Sequence, residues 1–239
     1  MGREGDRGPR LVANIRMAMA YAQRRAAALA AIGMAGSGVG TDGKVDKSPK
    51  GSLDAPIRDL VEHINRTDAW FTTSSCSGRT SLFLLEQGRK KGGHWIYVCH
   101  GEAEAEELHR SVQQGQEGLA TFRFEPFILT VECRTPEDAF VLVALAIQTG
   151  YKASGVTSIG KRNLVSIRGS TRLEVPVAKD GEWLVSKEYL DFLVEQANQK
   201  WTENKDRIDR FFKTLQEYEA IQPSFDPAAR LQTPNGGDG

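Results

Sequence analysis

The sequence predicts an α+β fold in which an antiparallel or mixed sheet packs against a buried helix and a long C-terminal helix. Three observations favour this class. Short runs of β-branched and aromatic residues come in pairs joined by Gly-containing turns, the order of hairpins rather than of βαβ units. A run that is apolar almost all round covers 139–147, and a long amphipathic pattern follows over 186–218. The sequence therefore predicts no doubly wound Rossmann sheet.

The first elements are helical. Ala, Met and Arg predict a helix over 15–33 that stops at Gly33. A second helix is expected over 54–66, where four aliphatic residues form one stripe at helical spacing. Between them, 38–43 matches GxGxxG, but it follows a helix rather than a strand, so we do not interpret it as a nucleotide loop.

Strands dominate the middle of the chain. A strand over 69–71 enters a polar loop, and the segments 81–85 and 95–99 then form a hairpin. A charged helix over 102–112 precedes a long strand over 121–134, in which Pro126 predicts an edge position or a bulge.

The clearest helix signal comes next. Thr135 is an N-cap, Pro136 stands at the first helical position, and the apolar run makes this the buried helix. The elements expected after it are strands over 156–159, 164–168 and 172–177, a turn over 179–182, a short strand, and the C-terminal helix capped by Ser186.

Bulk properties limit the classes of function. The 239 residues suit a single domain over 17–222, with a disordered extension over 1–16 and a disordered tail over 223–239. Lys and Arg balance Asp and Glu at 31 each, which excludes non-specific coating of nucleic acid. Three scattered cysteines predict a reducing, cytoplasmic compartment and no metal, since no Cys/His cluster has zinc spacing. No apolar run is long enough for a membrane span.

The most informative segment is 72–79. It holds five hydroxyl residues with Cys76, Gly78 and Arg79. Such a composition is typical of a loop whose N–H groups and hydroxyls surround an anionic or polar ligand. The fork of Arg79 suits a carboxylate or a phosphate. A Ser-rich surface turn is the alternative.

Histidine and aspartate supply the candidate catalytic groups. His100 follows a predicted strand, and the ordinary pKa of a histidine suits a general base. Asp54 is either a proton acceptor or a residue that favours a helix N-terminus. The alternative for His100 is a hydrogen bond to the backbone at the strand end.

Arginines and aromatics supply the candidate ligand contacts. Arg79, Arg134 and Arg168 each stand at an apparent strand end and could converge on one anion. Ser154 and Gly155 would let the backbone approach a ligand closely. Trp70, Trp95 and Phe127 either stack on a base or pack in the core, and Asn198 is either near the site or exposed.

Several segments together resemble the wybutosine-synthesis methyltransferases, the tRNA wybutosine-synthesizing protein 3 family. The likeness covers residues 20–215, and its combination of motifs is specific. The matching segments are 46–54 (DKSPKGSLD), 72–79 (TTSSCSGR), 92–95 (GGHW) up to His100, 124–129 (FEPFIL), 133–134 (CR), 150–155 (GYKASG), 167–168 (IR), 173–176 (LEVP), and near the C-terminus Tyr189, Leu190, Ala197, Asn198, Asn204 and Arg207.

The resemblance implies an S-adenosylmethionine-dependent tRNA methyltransferase. Its substrate would be a ring nitrogen of a tricyclic wybutosine precursor, next to the anticodon of phenylalanine tRNA. His100 and Asp54 are then the expected catalytic residues. The cofactor would be bound by Ser74, Ser75, Cys76, Ser77, Gly78, Arg79, Ser154 and Gly155, and the tRNA by Ser48, Lys50, Arg134 and Arg168.

Two alternatives belong to other classes. One is a non-catalytic RNA-binding module without a pocket for a small cofactor. The other is a thiol-dependent enzyme, in which N–H donors lower the pKa of Cys76 and a distant histidine acts as its base.

Overall fold

The computed structural model describes residues 7–31, 53–86, 93–114 and 116–221, and side chains from residue 15 onward. No helix within these ranges is both long and apolar enough to cross a membrane. The elements, in chain order, are α1 (Arg7–Ala31), a 3₁₀ turn (Ala55–Ile57), α2 (Arg58–Arg66), β1 (Trp70–Leu85), β2 (His94–Cys99), α3 (Ala105–Ser111), β3 (Leu119–Cys133), α4 (Pro136–Gln148), β4 (Gly155–Ser158), β5 (Asn163–Arg168), β6 (Leu173–Lys179), β7 (Glu182–Trp183) and α5 (Lys187–Ile221).

One antiparallel sheet organises the described part of the chain, which confirms the predicted α+β class. Its strand order is β2-β1-β3-β5-β4, and β6 pairs with the other half of β3. β3 is therefore central, so the edge position predicted from Pro126 is wrong. Pro126 lies between the stretch that pairs with β6, which ends at Phe124, and the stretch that pairs with β5, which begins at Ile128. Pro126 has no backbone N–H, and it lies where the strand that pairs with β3 changes from β6 to β5.

β1 runs without interruption through the segment predicted to be a polar loop. Residues 72–79 pair with β3 along almost their whole length, so the loop assignment is wrong. A register shift between Thr72 and Ser74 and a positive φ of 102° at Gly78 are the irregularities that a Ser- and Gly-rich strand introduces. Partner strands supply the backbone hydrogen bonds, which overrides weak local β-propensity.

Two hydrophobic clusters lie along the sheet, and α5 packs against both. The first half of β3 buries Phe122 and Phe124 with Leu190 and Trp201 of α5. The second half buries odd-numbered residues such as Phe127 and Leu129 with α2, α4 and the end of α5. The buried face of β3 thus changes near Pro126. This long C-terminal helix is therefore the element that joins the two cores.

α4 begins at the predicted capping residue but is only half buried. Thr135 and Asp138 form a reciprocal capping box, with Pro136 at the start of the helix. Its inner face contacts the sheet, whereas Phe140 is 61% exposed and Ile147 is 45% exposed. A helix that is apolar all round was expected to be buried all round; in the described residues only one face has a sheet to cover it.

α1 starts eight residues before the predicted position, so residues 7–16, assigned to an extension, are helical. It is held to the sheet by Arg24, which binds the fully buried Glu132 together with Arg162. Tyr21 packs on Phe71. Residues 1–6, the predicted substrate residues Ser48 and Lys50, and the tail over 223–239 lie outside the described residues.

Candidate active site

The candidate site forms where β2 ends beside β1. The last residue of β2, Cys99, pairs with Thr80, so among the described strands none pairs with the preceding part of β1 on that edge. His100 follows directly. Asp54, just before the 3₁₀ turn, approaches the same edge and accepts hydrogen bonds from Ser77, at 2.9 Å from the backbone N and 3.1 Å from Oγ. The fold therefore brings Asp54 and His100 together on the edge of β1.

Asp54 and His100 form an ion pair. The Oδ2 atom of Asp54 lies 3.1 Å from Nδ1 of His100, and both side chains are largely buried. The hydrogen bond to Asp54 raises the pKa of His100 to about 9, with a smaller contribution from Cys76. Burial alone would raise the pKa of Asp54, but hydrogen bonds from His100 and Ser77 outweigh it and lower the pKa to about 2. At neutral pH the site holds an imidazolium and a carboxylate.

Cys76 touches the same histidine nitrogen. Its Sγ lies 4.0 Å from Nδ1 of His100, the atom that also faces Asp54. A thiol–histidine relay needs the thiol on one ring nitrogen and the orienting acid on the other. Here both groups contact Nδ1, so His100 is not arranged to activate Cys76. This geometry speaks against the thiol-enzyme alternative.

The same three residues are the one group within the described ranges that offers three close metal-ligand atoms. One ligand atom each from Asp54, Cys76 and His100 all lie within 4.8 Å of one another. Ser77 and His100 already direct three donors at Oδ2 of Asp54. Hydrogen bonding therefore accounts for the cluster without an ion. The expectation that no metal is needed stays a prediction.

Asn204 supports the site from behind. Its Nδ2 donates to the carbonyl of Ser77 at 2.8 Å, and its Oδ1 accepts from the N–H of Phe127 at 2.8 Å. Asn204 is 2% exposed on the inner face of α5. Its residue type and position in the sequence predicted no role for it. The signal that could have found it is an amide on the apolar face of an amphipathic helix. Asn198, considered as a site residue, instead binds the backbone of Ala103.

A polar sheet face extends from Cys76 across three further strands. Cys76 pairs with Ile128, which pairs with Arg168, so their side chains share one face. The neighbouring row is Ser74, Thr130, Ser166 and Gly155. This is the face opposite the core of α4 and α5, because Leu129 and Ile167 alternate with these residues.

The sequence-predicted residues divide between this face and other places. Ser74, Cys76, Arg168 and Gly155 lie on it, and Ser154 accepts a hydrogen bond from the backbone N of Arg168. Two of the expected cofactor residues, Ser77 and Gly78, are buried beneath Asp54 and Asn204. We assign them a supporting role, because neither is open to a ligand.

Two of the three predicted arginines lie elsewhere. Arg79 lies in the half of the sheet that β2 extends, where it pairs with Glu125 at 2.6 Å and its guanidinium covers Trp95 at 4.6 Å. Because the buried face changes near Pro126, Arg79 projects from the same side of the sheet as Cys76, the side away from α5, but its charge is already paired. Arg134 lies opposite Ala69, about 20 Å along β1 from Cys76, and lines a cavity of about 180 Å³. The three arginines therefore do not converge.

The three aromatic residues considered for stacking on a base also lie in different environments. Trp70 is 3% exposed and Phe127 is fully buried, so both are core residues. Trp95 is 40% exposed, beside Phe83 and under the guanidinium of Arg79. Of these three aromatic side chains, only Trp95 is open to a ligand.

Comparison with known families identifies the class to which this fold and site belong. A family model described as Methyltransferase TYW3 matches residues 23–217, a range that contains each residue of the site. The protein is therefore a methyltransferase that uses an α+β scaffold rather than a Rossmann fold. It belongs to the Methyltransferase TYW3 family, which confirms the resemblance found in the sequence and excludes a non-catalytic RNA-binding module.

Relatives from animals and plants match most of the chain. The tRNA wybutosine-synthesizing protein 3 homolog of Homo sapiens is 41% identical over 72% of this chain and 68% of its own length. The homolog of Danio rerio is 43% identical over 75% of this chain and 72% of its own length. In Oryza sativa subsp. japonica, tRNA wybutosine-synthesizing protein 2/3/4 is 38% identical over 87% of this chain, which spans 21% of that longer protein.

Solved structures share the fold. The PH1069 protein of Pyrococcus horikoshii superposes with a TM-score of 0.72 at 30% identity, covering 84% of this chain and 97% of its own. A hypothetical protein from Aeropyrum pernix has a TM-score of 0.60 at 28% identity, covering 69% of this chain and 98% of its own. The similarity therefore extends over nearly the whole of both archaeal proteins.

Proposed function

We propose that this protein transfers a methyl group from S-adenosylmethionine to a ring nitrogen of a wybutosine precursor in phenylalanine tRNA. The family match and the names of the relatives support the reaction and the tRNA substrate. The observation that carries the placement of the reaction is the Asp54–His100 pair beside an open polar sheet face. A tRNA substrate agrees with the cytoplasmic location expected from the sequence.

The polar face fits a small ligand that carries charged and polar groups. Ser74 and Arg168 are exposed on it, and Ile128 between them provides a partly apolar floor. A Cβ atom built at Gly155 would meet none of the described residues within 4 Å, so a ligand can approach this part of the backbone closely. We place the cofactor here, on Ser74, Cys76, Ser154 and Gly155. Ser75, also expected to bind it, pairs with Leu129 and therefore lies on the other side of the sheet.

When bound, S-adenosylmethionine supplies an electrophilic methyl carbon on a sulfonium. In the transfer, the lone pair of the ring nitrogen would form the new N–C bond, the C–S bond would break with its electron pair going to sulfur, and the ring N–H proton would pass to solvent water. Holding the reacting atoms in line provides much of the acceleration in such a displacement. The protein must also favour loss of the ring proton.

His100 serves this second requirement in its protonated form. Its Nδ1 faces Asp54, and Nε2 has no partner among the residues that the structure describes. With a pKa of about 9 the ring is an imidazolium at neutral pH. It therefore donates a hydrogen bond and favours negative charge on the base, rather than removing a proton as the ordinary pKa of histidine suggested.

The test is a methyl-transfer assay with labelled S-adenosylmethionine on two tRNA samples. One is total tRNA from cells that lack this methylation step and therefore hold the unmethylated precursor. The other is fully modified tRNA from normal cells. We expect incorporation into the first sample alone, and a loss of at least tenfold in rate for His100→Asn. A folded protein that labels neither sample would contradict the proposed function.

The cofactor is tested separately by isothermal titration. S-adenosylmethionine is titrated into the protein alone and into the protein with total tRNA. Saturable binding supports the donor proposed above. Binding of tRNA without binding of S-adenosylmethionine in either condition would contradict it.

A further inference from the structure

Arg168 differs from the other arginines within the described β-strands. Arg79 pairs with Glu125 at 2.6 Å, and Arg123 pairs with Glu174 at 2.9 Å. Arg168 has no carboxylate partner among the described residues. Its Nε donates to Ser166 Oγ at 2.7 Å, so the side chain is oriented rather than free to move in solvent.

The surroundings of Arg168 suit an anion. Ser166, which holds its guanidinium, lies on the polar face and is 4% exposed. The remaining N–H donors of the guanidinium form a planar fork that matches a carboxylate. Gly155 pairs with Ser166 and leaves open space beside it. This corner of the sheet therefore offers a cation, a hydroxyl and an accessible backbone.

Its position relative to the reacting groups limits the size of the ligand. Arg168, Ile128 and Cys76 occupy one row on adjacent strands, so Arg168 lies about 10 Å from Cys76 across the floor. A small molecule that contacts both Cys76 and Arg168 across Ile128 has to span about that distance.

From these contacts we infer that Arg168 binds the carboxylate of the methyl donor, at the end of the polar face away from His100. This inference rests on the proposed function, because it takes the donor to be S-adenosylmethionine. It moves Arg168 from the tRNA side, where the sequence placed it, to the cofactor side. Ser166 acts as the positioning residue that holds the guanidinium in place.

The test compares two nucleosides that differ in the amino-acid group. S-adenosylhomocysteine carries the carboxylate, whereas 5′-methylthioadenosine lacks it. Both are titrated into wild-type protein and into Arg168→Gln. We expect the variant to lose at least tenfold in affinity for S-adenosylhomocysteine and to bind methylthioadenosine as the wild type does. Arg168→Lys keeps the positive charge without the planar fork, so its affinity for S-adenosylhomocysteine should lie between those of the wild type and Arg168→Gln.

Lys161→Gln is the matched control, since it removes one exposed positive charge from the turn between β4 and β5. It should bind both nucleosides normally. Thermal unfolding of each variant checks that the sheet is intact.

Four outcomes would overturn the inference. Unchanged affinity of Arg168→Gln for S-adenosylhomocysteine removes the carboxylate contact while leaving the proposed function in place. An equal loss for both nucleosides places Arg168 at another part of the donor. A loss confined to binding of an anticodon stem-loop RNA, with a weaker salt dependence, assigns Arg168 to RNA phosphate. If the wild type binds neither nucleoside, the proposed function fails as well.

Discussion

The Oδ2 atom of Asp54 lies 3.1 Å from the Nδ1 atom of His100, and this pair joins the end of β2 to the residue that precedes the 3₁₀ turn before α2. Ser77 completes the arrangement by donating two hydrogen bonds to the same oxygen. The pair fixes the orientation of the imidazole and leaves Nε2 as its remaining polar atom. The protonation state of His100 therefore becomes a property of the folded site, which can be measured.

The pH dependence of methyl transfer should report that state. His100 has a pKa of about 9, and in the proposed mechanism it acts in its protonated form, so kcat/KM should fall as the pH rises through about 9. The pH–rate profile of His100→Asn should be lower throughout and should lack this alkaline limb. A wild-type rate that instead increases through pH 9 would show that neutral His100 is the active form and is a general base.

Stability should also depend on the pair. The pKa of His100 is raised from 6.5 to about 9, so its contribution is fully present below pH 6.5 and is lost as the pH rises through 9. The pKa of Asp54 is lowered from 3.8 to about 2, so its contribution is present above pH 3.8 and is lost as the pH falls through 2. The pair is therefore most stabilising between about pH 4 and 6.5.

Denaturant unfolding at two pH values measures this contribution. The difference in free energy of unfolding between wild type and His100→Gln should shrink by about 1 kcal/mol from pH 6 to pH 9.5, after allowance for solvent screening. Every other titrating group is present in both the wild type and His100→Gln, so its effect on the free energy of unfolding cancels in this difference. A difference that stays constant would mean that His100 and Asp54 are not paired in solution.

The sequence predicted the elements better than their positions in the sheet. Periodicity and capping are local signals, so α2, α4, α5 and the strands from Gly155 onward were located closely. The segment over 72–79 was taken for a loop because Ser and Gly are poor strand formers. Its strand structure comes from pairing with β3, which is distant in sequence and has no local signal.

Only part of the site was predicted, because the contacts between its residues also depend on the pairing of distant strands. Asp54, Cys76 and His100 were each singled out by type and position, and the structure brings them together. Arg134 was grouped with Arg168 because both follow strands. Two strand ends lie close together only when the strand order of the sheet makes them neighbours. Amino-acid composition does not determine that order.

Arg79 is expected to act on RNA rather than on the donor. It lies in the half of the sheet that β2 extends, away from Arg168, and covers the exposed ring of Trp95. Arg79→Ala should weaken binding of an anticodon stem-loop RNA about tenfold, with little loss of folding. The slope of log K against log salt concentration should fall by the amount that corresponds to one lost phosphate contact. The affinity for S-adenosylhomocysteine should stay the same. Filter binding and isothermal titration provide the two measurements.

Arg123→Ala is the control for this prediction. Arg123 repeats the arrangement of Arg79, with its guanidinium over Phe83 at 4.8 Å and a carboxylate partner in Glu174. It lies further from the end of β2 and should change RNA binding less. A loss of donor affinity in Arg79→Ala would restore this residue to the cofactor site, as the sequence suggested. Unchanged kinetics would remove it from the mechanism.

Cys76 should be replaceable by serine. Its thiol shares Nδ1 of His100 with Asp54, so it is not activated as a nucleophile. Cys76→Ser should therefore keep methyl transfer within about threefold of wild type, because nucleophilic activation requires a lowered pKa or an adjacent base. Initial rates at saturating tRNA and S-adenosylmethionine measure the effect. Complete inactivation of a folded Cys76→Ser protein would favour covalent chemistry at the thiol.

Asn204 should position the active site through Ser77. Asn204→Ala leaves the carbonyl of Ser77 and the N–H of Phe127 without their partner in a buried place, which costs about 3 kcal/mol. Ser77 then holds Asp54 less firmly, so the pKa of His100 should fall toward 6.5. NMR titration of the His100 ring and kcat/KM, both measured below the unfolding temperature, should change together.

Asn198 provides the matched variant on the same helix. It makes the same two kinds of hydrogen bond, to the N–H and the carbonyl of Ala103, but it touches no residue of the site. Asn198→Ala should cost about 1 kcal/mol, because Asn198 itself is partly exposed and water can take the place of its amide, and it should leave the pKa of His100 unchanged. If both variants lower kcat/KM equally, the loss comes from general loosening of α5. A lower kcat/KM with a displaced His100 pKa in Asn204→Ala alone identifies the bond to Ser77 as the contact through which α5 orients Asp54.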